Sequence, residues 1–482
     1  MTHPNQTGER NLAQIPIFAT TQDDYWAPSP PAPQPVQTGE PERAPSVFDG
    51  VDWELVKTFR GTVSARLSDQ DPGTRSPADE RARGMEIIVQ VLREHSRDAM
   101  AGNEQIWSNA LEREYRKAVF DSIFGAGRLQ PLLDDPEAEN IEMNGYDNVS
   151  VVYGDGRRVK VAPVADSDAE LLEMIRLIAT HAESGARPFS YPHPTVTMLL
   201  GSRHRLHAMA YNLTPRPTVT IRQHKHIDVT LDSMVKLGML TDEVADFLAH
   251  AVRAHKSVVI AGAQGSGKTT MLRALADAIP KHERIGTIET AFELLLHELP
   301  EQYPNVAAMQ ARAGGGEAGD AGSKTVPDLL VEAFTMNLDR ILVGEVKQDV
   351  ELISMLHAMT ASNGSLSTVH AKSGRHALGR LVSLATDRGD DHTAASHRVA
   401  DNIDLIVFCA QVDNRWKGGT IQRRVTEVHQ LLRGEADHPA ITRPLYMSPD
   451  DDSPALQVAH PTEDMLTDLE RIGFRPRGAE RL

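Results

Sequence analysis

The chain has 482 residues, with 67 acidic against 50 basic side chains, a formal net charge of −17 at pH 7 and 40% hydrophobic residues. That length accommodates two or three domains, and the acidic balance disfavours a nucleic-acid backbone as the main partner. A single cysteine, Cys409, excludes an internal disulfide framework; no apolar run reaches membrane-span length and the first residues lack the pattern of a signal peptide, so a cytoplasmic chain without a transmembrane segment is expected.

Residues 1–49 contain "APSPPAPQPVQTGEPERAPS", rich in proline and poor in apolar side chains. Such a segment buries too little surface to offset its ordering entropy, and a disordered tail is expected. Over residues 50–124 apolar side chains recur every three or four positions, which predicts three helices. Trp53, Val56, Phe59, Val63 and Leu67 mark the first, Met85, Ile88, Val91 and Leu92 the second, and Trp107, Leu111, Tyr115 and Val119 the third.

Residues 125–228 change to short strand-like runs: "NIEMNG", "VSVVYGDGRRVKVAP" with a hairpin turn at Gly154-Asp155-Gly156, "TVTMLLGSRHRLHAMA" and "PTVTIRQH". With a helix from about Asp168 to Ser184 among them, they make a small α+β domain. "RQHKH" (222–226) reads as a solvated connector rather than a metal site. Residues 229–433 alternate strand and helix, with "SVVIAGA", "RIGTIE", "RILVGE", "SLSTVH" and "LIVFCA" as strands. That alternation predicts an α/β domain with a largely parallel sheet and a ligand at the carboxyl ends of its strands. Cys409 falls in an apolar strand as an inert core residue, and the glycine-rich "ARAGGGEAGDAGSKT" (311–325) reads as a mobile loop. Residues 434–482 read as an acidic tail in which "TEDMLTDLERIGF" alone is helical. With no H-E-x-x-H pair and no cysteine cluster, no structural metal is expected.

"GAQGSGKTT" carries the chemistry. Gly262, Gly267, Lys268 and Thr269 fit G-x-x-x-x-G-K-[ST], a Walker A loop. A β-branched apolar run precedes it, and Met271, Leu272, Leu275 and Ala278 follow at helical spacing until Pro280. Consecutive backbone N–H groups surround a polyphosphate only where no Cβ obstructs them, and a helix N-terminus adds positive potential. The expected ATP-binding segment is therefore Gly262, Ala263, Gln264, Gly265, Ser266, Gly267, Lys268, Thr269 and Thr270. Lys268 would reach the β and γ phosphates and Thr269 the Mg2+ ion, while Thr270 has no separate role. Glu345 ends the strand "RILVGE" as a Walker B carboxylate and second metal group. Glu289 ends "RIGTIE", and Glu293 would share a face with it if a helix began there. His370 ends "SLSTVH".

Taken in order, "GAQGSGKTT", "TIETAFEL", "LDRILVGEVK" and "GSLSTVHA" resemble the Walker A, Asp box, Walker B and His box of the ATPases of type II and type IV secretion systems and type IV pili. "IFGAGRLQPLLDDPEAENIEMNGYDNVSVVYGDGR" and "VDWELVKTFR" look like the amino-terminal part of their CpaF-like, tight-adherence branch, so the likeness runs from about residue 51 to 430. The resemblance implies a RecA-like P-loop NTPase domain with a smaller α+β domain closing over ATP and a helical N-terminal extension. It further implies a homohexameric motor that drives an inner-membrane platform protein, associates with the membrane only through partners and touches no nucleic acid. Lys268, Glu345, Glu289, His370 and Arg222 are its implied catalytic groups. A further arginine is Arg203 or Arg205, since "GSRHRLHA" offers both, and Arg205 is preferred. Two departures stand out: Thr290 replaces the usual Asp-box aspartate, and Ser362 lies where an earlier histidine is common. Two other functions stay open: a RecA-type nucleic-acid motor, and a scaffold that binds ATP but scarcely hydrolyses it.

Overall fold

The computed structural model describes residues 50–68, 76–102, 107–180, 188–201, 203–224, 227–312, 323–387, 389, 391–435, 438–450 and 453–476. The expected proline-rich tail, residues 225–226 of the connector and residues 313–322 of the glycine-rich loop lie outside them.

The three apolar stripes form helices α1 (Trp53–Ser68), α2 (Pro77–Ala101) and α3 (Asn109–Phe124). Ser76 and Asp79 make a reciprocal capping box that starts α2, and Ser108 caps α3. Val56, Phe59, Val63, Ile88, Leu92 and Val119 form their common core. Trp107 stacks on Tyr115 with ring centroids 4.1 Å apart.

After the short helix α4 (Gln130–Asp134), six strands build an antiparallel sheet: β1 (Ala138–Asn144), β2 (Val149–Tyr153), β3 (Arg158–Lys160), β4 (Thr195–Leu200), β5 (His204–Met209) and β6 (Thr218–Gln223). Their order is β3-β2-β1-β6-β5-β4, and helix α5 (Asp168–Thr180) joins β3 to β4 in sequence. Side chains alternate between faces along a strand. Leu206, Ala208, Val219 and Ile221 are buried with Leu171 and Ile175 of α5, which leaves Arg205 and Arg222 for the opposite face. Arg205 and Arg222 are direct cross-strand neighbours in the β5–β6 register.

Helices α6 (Leu231–Lys236) and α7 (Asp242–Arg253) lead into the second sheet. Its strands are β7 (Val258–Gly262), β8 (Ile285–Glu289), β9 (Val306–Gln310), β10 (Arg340–Val346), β11 (Leu366–His370), β12 (Leu405–Asp413), β13 (Ile421–Arg433), β14 (Ala440–Met447) and β15 (Leu456–Gln457). The order is β15-β14-β13-β12-β7-β11-β10-β8-β9. β12, β7, β11, β10, β8 and β9 run parallel, and β13 to β15 extend the sheet antiparallel. Val258 and Ile260 face one core with α7, α8 (Lys268–Asp277) and α13 (Glu463–Arg471). Val259 and Ala261 face the other, with α9 (Val326–Ala333), α10 (Asp349–Ala361), α11 (Gly374–Thr386) and α12 (His392–Asn402). This three-layer arrangement is that of a RecA-like P-loop domain.

One expectation is corrected. The described part of the segment after residue 434 is not a tail: β14 pairs with β13, and Leu445, Tyr446, Met465, Leu469 and Phe474 are buried in the first core. Glu435, Asp450, Glu463, Asp464 and Glu470 are exposed, while five well-spaced apolar residues suffice to dock the segment. Lys256 pairs with Asp468 at 2.8 Å, adding a polar tie. Leu469→Ala should therefore cost ~2–5 kcal/mol in denaturant unfolding, the range for emptying a core leucine site; an unchanged midpoint would mean that α13 does not belong to the core.

Candidate functional site

Strand order builds the site. β11 lies between β7 and β10, so the chain segments leaving these three strands stand side by side at the carboxyl edge of the sheet. After β7 the glycine loop turns into α8 through Gly267, whose φ of 92° is in the left-handed region that glycine adopts without strain. A Cβ on Gly262 would collide with the Cys409 carbonyl oxygen and the Ser266 side chain.

Lys268, the first residue of α8, is only 8% exposed. Its ammonium donates to the carbonyls of Gly262 at 3.2 Å and Ala263 at 2.9 Å, and lies 3.3 Å from His370 Nδ1. An ammonium has no lone pair, so Nδ1 is the acceptor and the other ring nitrogen carries the proton. That nitrogen is 2.6 Å from Glu345 Oε1, and Glu345 Oε2 holds Lys347 at 2.9 Å. Burial pushes the Lys268 pKa below the usual lysine value, against the opposing pull of Glu345. Ser266 Oγ is buried without a hydrogen-bond partner among the described residues.

The two carboxylates after β8 separate. No helix follows Glu289, so it does not share a helical face with Glu293. Glu289 is 3% exposed and turns beneath the loop, where its Oε2 accepts the backbone N–H groups of Glu293 at 2.8 Å and Leu294 at 2.9 Å. Burial pushes its pKa up to about 7. Glu293 instead faces the opening, taking Arg205 Nη1 at 2.5 Å and the Thr269 hydroxyl at 3.5 Å. Burial alone would raise the Glu293 carboxyl, but His224, Arg205 and Arg222 hold it below the usual range. Arg273 secures the same loop from below through the carbonyls of Leu294 and Glu293.

A cavity of about 300 Å³ opens between the glycine loop and the face of the six-stranded sheet. Four cationic side chains line it, Arg205, Arg222, Lys268 and Lys347, against two carboxylates, Glu293 and Glu345, leaving a positive surplus suited to a polyphosphate. Gln264, Gly265, Gly267, Thr269, Thr270, Thr368 and His370 complete the lining. Arg205 is in the wall and the exposed Arg203 is not. Thr270 lines this cavity and two neighbours of about 290 and 310 Å³. The last of these has apolar walls of Met234, Leu237, Met239 and Ile421.

The glycine cradle and the cationic surplus fit a nucleoside triphosphate. Mg2+ keeps most of its shell in water and phosphate and needs one or two protein oxygens, which Thr269 and Glu345 would supply. Of the expected site residues, Lys268, Thr269, Glu345, His370, Arg205 and Arg222 converge, and Glu289 does not reach the cavity. Glu293 was in view only as a helical neighbour of Glu289. Arg423, which donates to the Gly265 carbonyl at 2.7 Å, carried no signal, since it lies in the strongly charged strand β13.

A family model described as type II/IV secretion system protein matches residues 202–431, which include Arg205, Arg222, Lys268, Glu293, Glu345 and His370. The type IV secretion system protein VirB11 of Bartonella quintana is 32% identical over 344 residues, covering 63% of this chain and 91% of its own length. A putative conjugal transfer protein of Mycobacterium tuberculosis H37Rv is 28% identical over 347 residues, 71% of this chain and 93% of its own. Among solved structures, the Legionella pneumophila ATPase DotB is matched over 63% of this chain and 79% of its own, at 18% identity and a TM-score of 0.47.

Burial of Glu289 makes a pH prediction. Its folded pKa of about 7 lies above the ordinary 4.5, so the folded state holds the extra proton between these values. The stability this proton contributes is complete below pH 4.5 and is lost as pH rises through 7. Glu289→Gln removes the titration, so the wild type should lose stability relative to the variant by up to ~3 kcal/mol between pH 4.5 and 8.5. A stability difference that stays constant across this window would show that Glu289 is not buried as described.

Proposed function

Because the chain belongs to the type II/IV secretion ATPase family, we propose that it hydrolyses ATP and turns the loss of the γ phosphate into movement of its six-stranded domain. The observation that carries this reading is the convergence of Lys268 at the start of α8 with His370 and Glu345 from the adjacent strands β11 and β10, facing Arg205 and Arg222 of the other domain across one cavity.

The glycine-loop N–H groups and Lys268 would bind the β and γ phosphates, with Arg205 and Arg222 contacting them from above. Thr269 and Glu345 would hold Mg2+, which when bound neutralises phosphate charge. Beyond the α phosphate near Thr270, the apolar cavity of Met234, Met239 and Ile421 would receive the base. Water attacks the γ phosphorus, the bond to the β–γ bridging oxygen breaks, and ADP leaves with that oxygen's electron pair. Glu293 takes the place first given to Glu289: it is the carboxylate in the cavity beside Glu345, and it accepts the proton of the attacking water. Arginine contacts that exist only with triphosphate would make hydrolysis release the upper domain.

The family and the secretion-system relatives support a homohexamer acting at the cytoplasmic face of a membrane, through a platform protein of a secretion or pilus system. Among the described residues no helix is long and apolar enough to cross a membrane, so such work would pass through partners. The helical extension and the segment from Ile123 to Arg157 favour the CpaF-like, tight-adherence branch. Two carboxylates facing the cavity favour turnover over a scaffold that merely binds.

Steady-state phosphate release with Mg2+ and ATP tests this. Glu345→Gln and Glu293→Gln should each lower kcat about 100-fold or more while leaving ATP affinity within a few fold, and Lys268→Ala should abolish binding. Equal turnover by Glu345→Gln and the wild type would leave the scaffold function, and strong stimulation by single-stranded DNA would favour the nucleic-acid motor.

A further inference from the structure

The hairpin turn between β2 and β3 does more than reverse the chain. Its three consecutive carbonyls all accept hydrogen bonds from the P-loop domain: Gly154 from Arg423 Nη1 at 3.3 Å, Asp155 from the Ile421 N–H at 2.9 Å, and Gly156 from Arg415 Nη1 at 3.0 Å. Gly156 has φ 85°, and a Cβ there would run into Ile421, so glycine is required for this docking. Beside the turn, Arg423 Nη2 pairs with Glu139 of β1 at 2.8 Å. The same guanidinium donates from Nε to the Gly265 carbonyl at 2.7 Å.

One planar group thus holds the phosphate loop with one edge and the six-stranded domain with another. A guanidinium carries its donors in a fixed fork, so a shift of the loop carbonyl reorients the donors that face Glu139. The pair is partly desolvated, with side-chain exposures of 29% for Arg423 and 18% for Glu139. Arg423 is absent from the lining of the phosphate cavity but lines both neighbouring cavities, including the one given to the base, so its link to the phosphates runs through Gly265 and not through the reacting atoms.

We propose that Arg423 is a positioning residue that fixes the Gly265 carbonyl of the phosphate loop and, through Glu139, makes docking of the β2–β3 hairpin depend on the state of that loop. This rests on the reading that the loop binds ATP. Glu139→Gln removes the ion pair with the six-stranded domain and leaves the Gly265 and Gly154 hydrogen bonds of Arg423 in place. Arg423→Gln removes all three.

The test uses the full chain with three readouts: binding of a fluorescent ATP analogue with Mg2+, steady-state kcat, and hydrogen exchange over residues 149–160 with and without nucleotide. Glu139→Gln should keep the nucleotide Kd within about two-fold, lower kcat about ten-fold and lose the nucleotide-dependent change in hairpin exchange. Arg423→Gln should show the same loss of kcat and a Kd weakened about five-fold or more, and the double variant should be no slower than Arg423→Gln alone. Wild-type kcat and exchange response in Glu139→Gln overturn the proposal, as do additive losses in the double variant. If the wild type binds no Mg2+-ATP, the functional reading fails instead. The coupling is then decided without nucleotide: Glu139→Gln must raise exchange in residues 262–267, and unchanged exchange there overturns it. Should Arg423→Gln not fold, Glu139→Gln carries the decision alone.

Discussion

A buried ammonium is the constraint on which the rest of the site depends. Taking the charge of Lys268 out of water is costly unless dipoles or opposite charges replace the solvent. Here the replacements are two loop carbonyls and an imidazole lone pair, all neutral. The Glu345 carboxylate, whose charge pulls on Lys268, is connected to it through His370. The charge is therefore solvated without being cancelled, and this follows from topology, because β11 is interposed between β7 and β10. Were those two strands adjacent, Glu345 would meet Lys268 directly and neutralise the charge that a phosphate needs.

The same logic governs the facing domain. Period-two alternation on β5 and β6 gives one face to the core and puts Arg205 beside Arg222 on the other. Like charges directly opposite on neighbouring strands are unfavourable by themselves. Glu293, which comes from the P-loop domain, offsets them. Each domain thus carries an incomplete charge set, and the cavity between them is where the sets meet. Arg423 repeats the pattern outside the cavity, with Glu139 as its counter-charge.

Much of this was legible in the sequence where burial is two-sided. β7, β10 and β12 are buried on both faces and carry short continuous apolar runs, while β8 and β11 mix apolar residues with buried Thr287, Ser367 and Thr368. β13 and β14 escaped because they lie on the antiparallel side, where charged residues such as Arg423 and Arg424 interrupt the apolar pattern. The helix α13 was visible, but not that Met465 and Leu469 complete a core about 200 residues away in sequence. Glu289 shows the limit most clearly. Sequence identifies the last residue of a strand, but whether its side chain enters the cavity depends on where the following backbone N–H groups need an acceptor. Arg203 and Arg205 share a parity, so alternation does not separate them; what does is that Arg203 precedes β5, whereas Arg205 lies within it opposite Arg222.

The pairing of Glu293 links closure to chemistry. In the structure its oxygens are taken by Arg205 and the Thr269 hydroxyl, and nearby positive charge keeps the carboxyl a weak proton acceptor despite its burial. On the proposed function, both partners have a stronger claimant when a triphosphate enters with its metal: the arginine gains phosphate oxygens and the hydroxyl gains the ion. Glu293 then loses its cation and its hydrogen bond together, while its desolvation remains. Its two oxygens, freed of those hydrogen bonds, would then be open to an attacking water and to its proton. One exchange of partners would bring Arg205 onto the nucleotide and activate the carboxylate, so that turnover is confined to the closed arrangement. After cleavage the claim on Arg205 weakens, Glu293 recovers its partner, and the cavity returns to the charge balance from which it started.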